Sequence, residues 1–594
     1  MPTGLRCHDF PSEIPVGNLE EATMSHINSI PVEIEERDAR PWLKHYPATV
    51  PHTLDFPKQT MPWLLERAAT KWPTRAGCIY YDEVLTYEKL YSRSIRVAMW
   101  LVENGLEPGD RVGILLPNCP DYIYALNGVW LAGGTAVALS PLFVPEEAAA
   151  FVKATQCRIV ITLDVLTPLV CHGDHQPEMV IYTSLGTRLS RLEGLGYAWV
   201  RLMRLGLKGI NPNGRSISLV DVTKAGKGRE ETFVAPKMNP EDRAYILPTG
   251  GTTSSPKAVT LSHANLMANA WQICHWAGGS TGQETLLAIL PFFHSYGLST
   301  CLTNGTAMGA TLILHHRFRI NSVIRLIQKH RPTVFPTVPA MLAALNPVLE
   351  RTPVPALREM KFVISGGAAL PRTIAEKFAE LSGAAVVEGY GLSEASPVTH
   401  AGPLDGTAIP GTIGLPLPET DAKIVDAATG TEELPYGEVG ELVIRGPQVM
   451  MGYWDHPELT AQTIRNGWLH TGDLATCDKD GFFRIVDRKK DLIITSGFNV
   501  YPGDVEEVLR TYPGIKDVAV VGVPDENRGE IVKAIVVMQP GVTLNRHDLD
   551  AFSRKHLAAS KRPRIIEVRT EDLPRNFLGK VLRRELRDAK TTSE

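Results

Sequence analysis

Short apolar runs and amphipathic stretches alternate along most of the chain. Residues 111–117 (RVGILLP) predict a buried strand, residues 121–130 a helix and residues 135–139 the next strand. Runs that are apolar throughout, rather than at every second position, indicate strands covered on both faces. The pattern therefore predicts an α/β fold of layered sheets with largely parallel strands.

The two ends of the chain differ from this middle part. Residues 1–50 are polar and contain prolines with little periodicity, which predicts a loosely attached N-terminal arm. After about residue 488 a smaller α/β unit begins, with predicted elements at 492–495, 503–512, 518–523 and 531–537 and a basic helix at the end. We expect three parts: the arm at 1–50, a large domain of layered α/β sheets at 51–489, and a small mobile α/β domain at 490–594.

Composition narrows the functional classes. The 594 residues are 44% hydrophobic and 21% charged with a net charge of −4, so no bulk attraction to nucleic acid is expected. The eight cysteines form no CxxC pair, which argues against a zinc site or a redox motif. Neither a signal-peptide pattern nor an apolar run of membrane-spanning length is visible, and we expect a cytoplasmic protein.

Residues 188–208 mix five basic side chains with leucines, a tryptophan and a methionine. A basic amphipathic helix of this kind could lie on an anionic membrane surface, which would make the protein peripheral to a membrane. The alternative is a surface helix packed on its own domain, and the frequency of such patterns on solvated helices favours it.

A loop rich in glycine and hydroxyl residues follows the apolar run 244–248. Its backbone N–H groups, its hydroxyls and one lysine could bind phosphate oxygens. The candidate residues are Thr249, Gly250, Gly251, Thr252, Thr253 and Lys257. Pro256 and Ala258 break the pattern of a P-loop NTPase, and a plain surface loop is the alternative. Ser262 can cap a helix after the loop, and a strand, a loop and a helix in this order often bind phosphate.

The stretch 249–259 resembles the signature loop T-[SG]-G-T-T-G-x-P-K-G-V of the adenylate-forming superfamily, which includes acyl-CoA synthetases, adenylation domains and luciferases. Ser254 and Ala258 stand where that family usually has glycine. The resemblance runs from about Thr60 to Arg587 with the motifs in the family's order. The segments 386–394 and 481–488 are most similar to medium- and long-chain fatty acyl-CoA synthetases.

Further motifs in the large domain carry the resemblance. The segment 290–297 (LPFFHSYG) is similar to the family's LPxFH segment, which implies that His294 lies beside the carboxylate pocket. The segments 364–370 and 388–394 resemble the adenine-binding turn and the YGxTE motif. The residues that these imply for AMP are Gly366, Gly367, Ala368, Glu388, Gly389, Tyr390, Gly391 and Ser393, with Glu394 as the magnesium ligand. Taken singly, each is more simply a core histidine, a tight turn or a loop residue.

The last motifs lie towards the small domain. Asp473 in the segment 468–473 and Arg488 in 487–491 match the family's ribose-binding residues, and Lys490 matches its hinge. Gly497 matches a loop that lines the tunnel for coenzyme A, and Lys580, in a segment similar to LPxTxxGKxxRxxL, matches the catalytic lysine. In isolation, such lysines and arginines are solvated surface residues.

Together the motifs imply an enzyme, an acid–thiol ligase. It would use ATP and Mg²⁺ to convert a small-molecule carboxylic acid to acyl-AMP, with His294, Glu394 and Lys580 as catalytic residues, and then transfer the acyl group to coenzyme A. Tyr296, Val338 and Gly389 are the predicted lining of the acyl pocket. There are two alternatives. The enzyme could transfer the acyl group to a carrier-protein phosphopantetheine, or it could be a CoA ligase for aryl or dicarboxylic acids. A non-catalytic binding protein of the same fold would not need an adenylation lysine.

Overall fold

The structure is a computed structural model that describes residues 40–171, 177–188, 191–205, 210, 215–249, 257–496, 498–525, 528–576 and 579–588. The predicted site residues Gly250, Gly251, Thr252, Thr253 and Gly497 lie outside the described residues, as does most of the predicted arm.

The strands, numbered in chain order, are β1 (Ala76–Tyr80), β2 (Glu83–Thr86), β3 (Arg111–Leu115), β4 (Thr135–Ala138), β5 (Ile159–Leu163), β6 (Met179–Thr183), β7 (Arg215–Ser218), β8 (Arg243–Thr249), β9 (Lys257–Ser262), β10 (Thr285–Ala288), β11 (Thr311–Leu314), β12 (Val334–Thr337), β13 (Phe362–Ser365), β14 (Ala385–Gly391), β15 (Val398–Ala401), β16 (Leu415–Pro416), β17 (Asp421–Val425), β18 (Gly440–Arg445), β19 (Gly452–Tyr453), β20 (Ile464–Arg465), β21 (Trp468–Cys477), β22 (Phe483–Arg488), β23 (Ile493–Thr495), β24 (Phe498–Val500), β25 (Ile515–Asp525), β26 (Gly529–Met538) and β27 (Ile565–Arg569).

The α-helices are α1 (Pro62–Lys71), α2 (Tyr87–Glu103), α3 (Pro120–Leu131), α4 (Pro145–Ala154), α5 (Thr167–Val170), α6 (Arg191–Leu205), α7 (Leu219–Ala225), α8 (His263–Trp276), α9 (Ser295–Gly297), α10 (Asn304–Met308), α11 (Ile320–His330), α12 (Pro339–Arg351), α13 (Arg372–Ser382), α14 (Pro457–Thr463), α15 (Pro502–Arg510), α16 (Arg546–His556) and α17 (Arg583–Asp588). A π-helical segment, Leu298–Thr303, joins α9 to α10. None of the helices within the described ranges is long and apolar enough to cross a membrane.

Two large sheets form the body of the protein. One has the order β16-β15-β14-β13-β12-β10-β11-β1-β2 and the other β19-β9-β8-β4-β3-β5-β6-β7. From β14 to β1 in the first, and from β8 to β7 in the second, neighbouring strands are parallel. All residues of β4 and β5 are buried, as expected for continuous apolar runs with both faces covered. The predicted α/β class with parallel strands is therefore confirmed for these two sheets.

A third sheet and a fourth, smaller one lie later in the chain. The third joins β17, β18, β21, β20 and β22 in antiparallel pairs, and the fourth joins β24, β23, β26, β25 and β27. The sheet membership changes between Arg488, the last residue of β22, and Ile493, the first of β23. A large domain thus precedes a small one, and the domain bounds 51–489 and 490–594 stay a prediction.

Residues 40–50 do not form a loose arm. Trp42 and Tyr46 are buried, the Trp42 ring lies edge-on to Phe483 at 6.3 Å, and the Tyr46 hydroxyl donates to the Pro416 carbonyl at 2.6 Å. The prediction of an arm up to residue 50 is therefore wrong for its last eleven residues. Two aromatic side chains, which the polar composition of the segment conceals, anchor it: Trp42 to the third sheet and Tyr46 to strand β16 of the first sheet.

The predicted order of strand, loop and helix around residue 250 also needs correction. The loop connects β8 to β9, which pair antiparallel with Thr249 opposite Lys257, so it is the tip of a hairpin. Helix α8 begins only after β9. The predicted cap is confirmed there, since the Ser262 hydroxyl accepts from the Asn265 N–H at 3.1 Å. The helix N-terminus therefore does not follow the loop directly.

Candidate active site

The carboxyl ends of four neighbouring parallel strands bring most of the predicted residues together. Strands β14, β13, β12 and β10 lie side by side in the first sheet. His294 follows β10, Val338 follows β12, and Gly366 follows β13, whereas Tyr390 lies near the end of β14 itself. Because ligands of doubly wound sheets bind outside the carboxyl ends of the strands, this edge is where a small-molecule site is expected.

His294 is the N-cap of α9. Its Nδ1 accepts a hydrogen bond from the Tyr296 N–H at 3.2 Å, which orients the ring. Burial lowers the pKa of His294 to about 4, so the imidazole is neutral at physiological pH. A neutral ring in this position can orient a carboxylic acid by a hydrogen bond, but it cannot supply a positive charge.

Tyr296 packs beneath the turn that follows β13. Its hydroxyl donates to the carbonyl oxygens of Thr337 at 3.1 Å and Ile364 at 3.0 Å. A Cβ on Gly366 would lie only 2.9 Å from the Tyr296 phenol, so glycine is needed for this close approach. Gly367 has a φ of +80°, which glycine adopts without strain. Val338 is fully buried beside the start of α12, and Tyr296 and Val338 both belong to the hydrophobic core.

Glu388 lies on β14 opposite Ser365 of β13. Its carboxylate accepts from the Leu370 N–H at 3.2 Å. Burial nevertheless raises the pKa of Glu388 to about 7. The side chain therefore carries a proton for part of the time at neutral pH, and in that form it can donate a hydrogen bond to an acceptor atom of a ligand. Gly389, Gly391 and the turn residue Ala368 lie on the same edge.

Tyr390, Asp473 and Arg488 form a hydrogen-bonded group that joins two sheets. The Tyr390 hydroxyl donates to Asp473 Oδ2 at 2.6 Å, and Arg488 Nε lies 3.1 Å from Asp473 Oδ1. Asp473 and Arg488 face each other on β21 and β22. Tyr390 and Arg488 thus engage the two oxygens of the buried Asp473 carboxylate, which could exchange the Tyr390 hydroxyl for the hydroxyls of a ligand.

A second group connects the base of the glycine-rich hairpin with Glu394. Lys257 Nζ lies 5.1 Å from the centre of the Tyr453 ring, and the Tyr453 hydroxyl donates to Glu394 Oε1 at 2.8 Å. Ser393, next to Glu394, shares a hydrogen bond of 3.0 Å with the Ser295 hydroxyl. No cluster of three metal-ligating side chains exists among the described residues. One carboxylate near the predicted phosphate-binding segment suits Mg²⁺, which is commonly held by one or two carboxylates together with substrate phosphates and waters.

Lys580 lies in a turn whose geometry depends on Asn576. The Lys580 N–H donates to Asn576 Oδ1 at 2.9 Å, and the Asn576 N–H donates to the Lys580 carbonyl at 2.9 Å. A Cβ on Gly579 would lie 3.0 Å from the Ala340 side chain at the start of α12. The turn of the small domain therefore lies against the large domain at the strand ends that carry the site.

The charge of Lys580 is influenced by both domains. Burial lowers the pKa of Lys580 to about 8, with a further lowering by Arg488 and an opposing effect of Asp473. Burial also lowers the pKa of Lys490, and the positive charges of Arg488 and Lys257 contribute. Asp473 and Asp491 oppose this lowering at both lysines, so positive charges from the two domains and two carboxylates lie together beside the strand ends.

The junction between the two domains contains a network of charged side chains. Lys489 Nζ lies 2.9 Å from Glu441, and the Asp487 carboxylate accepts from the Gly503 N–H at 2.8 Å. Arg583 of the C-terminal segment lies 2.7 Å from Glu506 and 3.7 Å from Asp487. These contacts hold the turn that carries Lys580 on the same side as the large-domain site.

Sequence reasoning missed several residues of this arrangement. Tyr453 and Glu441 belong to no motif and reach the site through β19 and β18. Arg583 is the arginine of the segment similar to LPxTxxGKxxRxxL, but no role was predicted for it. Asn576 stands where the motif similar to LPxTxxGKxxRxxL has threonine, and asparagine is a typical acceptor of local backbone N–H groups in turns. Lys490 lies in the short turn Lys489–Asp491 between the domains, as its predicted hinge role requires.

Comparisons with known proteins agree with this arrangement. A family model described as AMP-binding enzyme matches residues 65–454, and one described as AMP-binding enzyme C-terminal domain matches residues 504–580. A long-chain-fatty-acid–CoA ligase of Bacillus subtilis (strain 168) is 39% identical over 558 residues, which are 93% of this chain and 98% of that protein.

Two solved structures share the fold over almost their whole length. The ATP-bound MatB from Rhodopseudomonas palustris has a TM-score of 0.74 at 28% identity and covers 89% of this chain and 98% of its own. The o-succinylbenzoate coenzyme A synthetase (MenE) from Bacillus subtilis, in complex with AMP, has a TM-score of 0.71 at 26% identity and covers 90% and 99%.

The chain belongs to the AMP-binding enzyme family. The resemblance to the adenylate-forming superfamily is therefore confirmed, as are the α/β fold with a large N-terminal and a small C-terminal domain and the expectation of an enzyme. The roles of the individual site residues stay predictions.

Proposed function

We propose that this chain activates a long-chain fatty acid as its acyl-adenylate, with release of pyrophosphate, and then transfers the acyl group to coenzyme A with release of AMP. The observation that carries the adenylation half is the cluster of charges beside the strand ends, where Lys490 and Lys580 lie with Arg488, Asp473 and Asp491. The MatB and MenE structures were solved with ATP and AMP, which supports an adenine nucleotide as the ligand.

The first step must bring a carboxylate onto a polyphosphate. A carboxylate oxygen attacks the α-phosphorus of ATP, the bond from that phosphorus to the bridging oxygen breaks, and pyrophosphate leaves. Both reactants are anions, so the step needs positive charge between them. Lys580 in its ammonium form would bridge the carboxylate and the α-phosphate, and a well-placed donor of this kind can stabilise a transition state by about 3–4 kcal/mol.

The remaining residues would bind and orient the nucleotide. Tyr390 would stack on adenine beside the turn of Gly366, Gly367 and Ala368, and the Asp473 carboxylate would accept from the ribose hydroxyls with Arg488 beside it. Glu394, kept in place by Tyr453, would hold Mg²⁺, which when bound neutralises phosphate charge. The loop that includes Thr249, Gly250, Gly251, Thr252 and Thr253 would enclose the β- and γ-phosphates.

The second step needs a thiol in place of pyrophosphate. The sulfur of coenzyme A attacks the carbonyl carbon of the acyl-adenylate, the bond from that carbon to the phosphate oxygen breaks, AMP leaves, and the thiol proton passes to solvent. Rotation of the small domain about Lys490 would withdraw Lys580 and bring the loop that contains Gly497 to the site. Such hinge motions take microseconds to milliseconds.

The choice of acid rests on the relatives. The 39% identical protein over 93% of this chain is named a long-chain-fatty-acid–CoA ligase, whereas the succinylbenzoate enzyme is 26% identical. The predicted pocket residues Tyr296 and Val338 are buried in the hydrophobic core, and apolar surroundings suit an aliphatic chain better than a second carboxylate.

The proposal is tested by measuring AMP release over a panel of acids, each with and without coenzyme A. The panel contains acetate, octanoate, palmitate, benzoate and succinate. We expect palmitate to have the highest kcat/KM and AMP release to depend on coenzyme A. Lys580→Ala is the inactive reference, and Lys555→Ala, at an exposed position of the same domain, is the matched control with wild-type rates.

Three outcomes contradict parts of this function. AMP release that ignores coenzyme A and requires a phosphopantetheine carrier protein would establish the carrier-protein ligase instead. If benzoate or succinate has the highest kcat/KM, the substrate is an aryl or a dicarboxylic acid and not a fatty acid. If no acid supports pyrophosphate exchange, the protein does not form acyl-adenylates and the first half of the proposal is wrong.

A further inference from the structure

Helix α6 exposes its apolar side chains to solvent. This 15-residue helix runs from Arg191 to Leu205 and connects β6 to the parallel edge strand β7. The apolar residues with more than half of their surface exposed are Leu192 (83%), Leu195 (70%), Trp199 (64%), Leu202 (57%) and Met203 (67%). With 3.6 residues per turn, these five positions lie on one face. A helix that connects parallel strands ordinarily buries such a face on the sheet.

The opposite, polar face of α6 holds the helix on the domain. The Tyr197 hydroxyl donates to the buried Asp164 carboxylate, and Arg201 Nε lies 3.0 Å from Asp164 Oδ2. Arg204 Nη1 donates to the Val165 carbonyl at 3.4 Å. The helix therefore packs on its own domain, as the charge pattern favoured, but through its polar side. This attachment fixes the outward direction of the apolar face.

The segment around α6 is basic in a protein that is acidic overall. Residues 188–208 contain five arginines and lysines and one glutamate, which gives this segment a net charge of +4, whereas the whole chain has −4. Arg188 and Arg201 pair with carboxylates of the domain, whereas Arg191 is next to the apolar face in the helical order. On helices that lie in the interface of an anionic bilayer, leucine, methionine and tryptophan enter the headgroup region and a neighbouring arginine remains at its surface.

The position of α6 relates this surface to the active site. Asp164 follows β5 and Gly186 follows β6, so α6 lies at the carboxyl edge of the second sheet. The phosphate-binding hairpin begins at Thr249, at the carboxyl end of β8, on the same edge of that sheet. Between β8 and β5 there are three strand spacings, about 14 Å. A ligand on this face of the protein would therefore adjoin the catalytic edge.

We propose that α6 is a membrane-docking surface that lies on an anionic lipid bilayer, with Leu192, Leu195, Trp199, Leu202 and Met203 inserted between the headgroups. The helix lies on the bilayer and does not cross it, since none of the described helices has the length and apolarity for a span. A surface of this kind would give the proposed active site access to fatty acids dissolved in the bilayer. The docking itself rests on α6 alone and not on the proposed function.

The size of the face favours a bilayer over a second copy of the chain. A helix of 15 residues is about 22 Å long and about 10 Å wide, which gives a footprint of about 220 Å². A stable protein interface buries about 800 Å² on each partner. A bilayer has no such requirement, because each inserted side chain contributes separately to the partition free energy.

The test is cosedimentation of the full-length protein with vesicles, without ATP, coenzyme A or acid, so that its result is independent of the enzymatic function. Vesicles of phosphatidylcholine are compared with vesicles in which about one third is phosphatidylglycerol. We expect binding to the anionic vesicles that weakens at high NaCl. The variant L195Q/W199Q/L202Q should lower the partition coefficient at least about 100-fold.

The control variant is V102Q/V234Q/V568Q, which removes three exposed valines elsewhere. It should bind as the wild type does, and both variants should keep the wild-type melting temperature because all six side chains are exposed. Equal binding of wild type and L195Q/W199Q/L202Q, or no binding to anionic vesicles, would overturn the proposal. A concentration-dependent dimer in analytical ultracentrifugation that only L195Q/W199Q/L202Q abolishes would assign the face to a second copy instead.

Discussion

The side chain of Lys580 lies among charges contributed by both domains. The sequence identifies the residue through its motif, but its charge state depends on neighbours that come from β21 and β22. Burial and Arg488 together bring the pKa of this lysine to about 8, into the range in which enzymes work. A lysine with this pKa is charged at neutral pH and becomes neutral only slightly above it.

This pKa predicts the pH dependence of adenylation. A lowered lysine pKa means that the ammonium is present below pH 8 and is lost as the pH rises through that value. We expect kcat/KM for acid-dependent pyrophosphate exchange to fall about tenfold for each pH unit above 8. His294, with a pKa of about 4, stays neutral throughout and cannot cause the fall.

The variant Lys580→Arg tests whether the titration of Lys580 causes the alkaline fall in rate. Its guanidinium remains protonated, so the exchange rate should be lower overall but flat across the alkaline range. A wild-type profile that is flat above pH 8, or the same alkaline fall in Lys580→Arg, would show that Lys580 does not supply the titrating charge.

The residues of the site differ in how visible they are in the sequence. Asp473, Arg488 and Lys580 are recognisable because each stands in a string of specific residue types. Tyr453 is not, because a Gly-Tyr pair on a two-residue strand has no distinguishing pattern. Only the antiparallel pairing of β19 with β9 brings the Tyr453 hydroxyl to Glu394.

At the scale of elements, local patterns predicted the types of the strands and helices better than their connections. The apolar run before residue 249 and the Ser262 cap are both correct, but β9 between them was missed. Residues 257–262 are half polar, and their burial comes from covering by α8 and β19, which the local sequence does not reveal.

The turn that carries Lys580 allows a test of whether this local element positions the lysine. Asn576→Ala removes the acceptor of the Lys580 N–H, which should loosen the turn and lower kcat for adenylation at least about tenfold with little change in KM for ATP. Asn576→Thr should restore most of the rate, since a hydroxyl can accept the same hydrogen bond. The measurement is the pyrophosphate exchange rate of both variants.

Asn545→Ala is the matched control for this test. Asn545 caps α16 of the same domain by accepting from the His547 N–H at 3.1 Å, and its loss should affect stability and not kcat. Equal rates for Asn576→Ala and wild type would show that the turn does not position Lys580. Failure of Asn576→Thr to exceed Asn576→Ala would point to a requirement for the asparagine itself.

At the scale of the whole molecule, adenylation requires the small domain to approach the large one. Gly579 lies against the exposed Ala340 at the start of α12. Ala340→Trp should obstruct this approach and lower adenylation at least about tenfold. Thioester formation from supplied acyl-adenylate and coenzyme A should remain within about twofold, because that step uses the rotated domain.

Ala150→Trp provides the control for this variant. Ala150 is an exposed alanine on α4 of the large domain, and its replacement should leave both half-reactions unchanged. An equal loss of both half-reactions in Ala340→Trp would indicate general damage, and no loss in either would show that the contact with Gly579 is unnecessary for adenylation.

The sequence by itself determined the α/β class, the order of the motifs and the superfamily, because each depends on residue types at short spacings. Tertiary structure decided the arrangement in which Tyr453, Glu441 and Arg583 join the site, the packing of residues 40–50 and the outward direction of the apolar face of α6. Amphipathic periodicity shows that a helix has two faces. Only the position of the buried Asp164, to which Tyr197 and Arg201 bind, determines which face meets the protein.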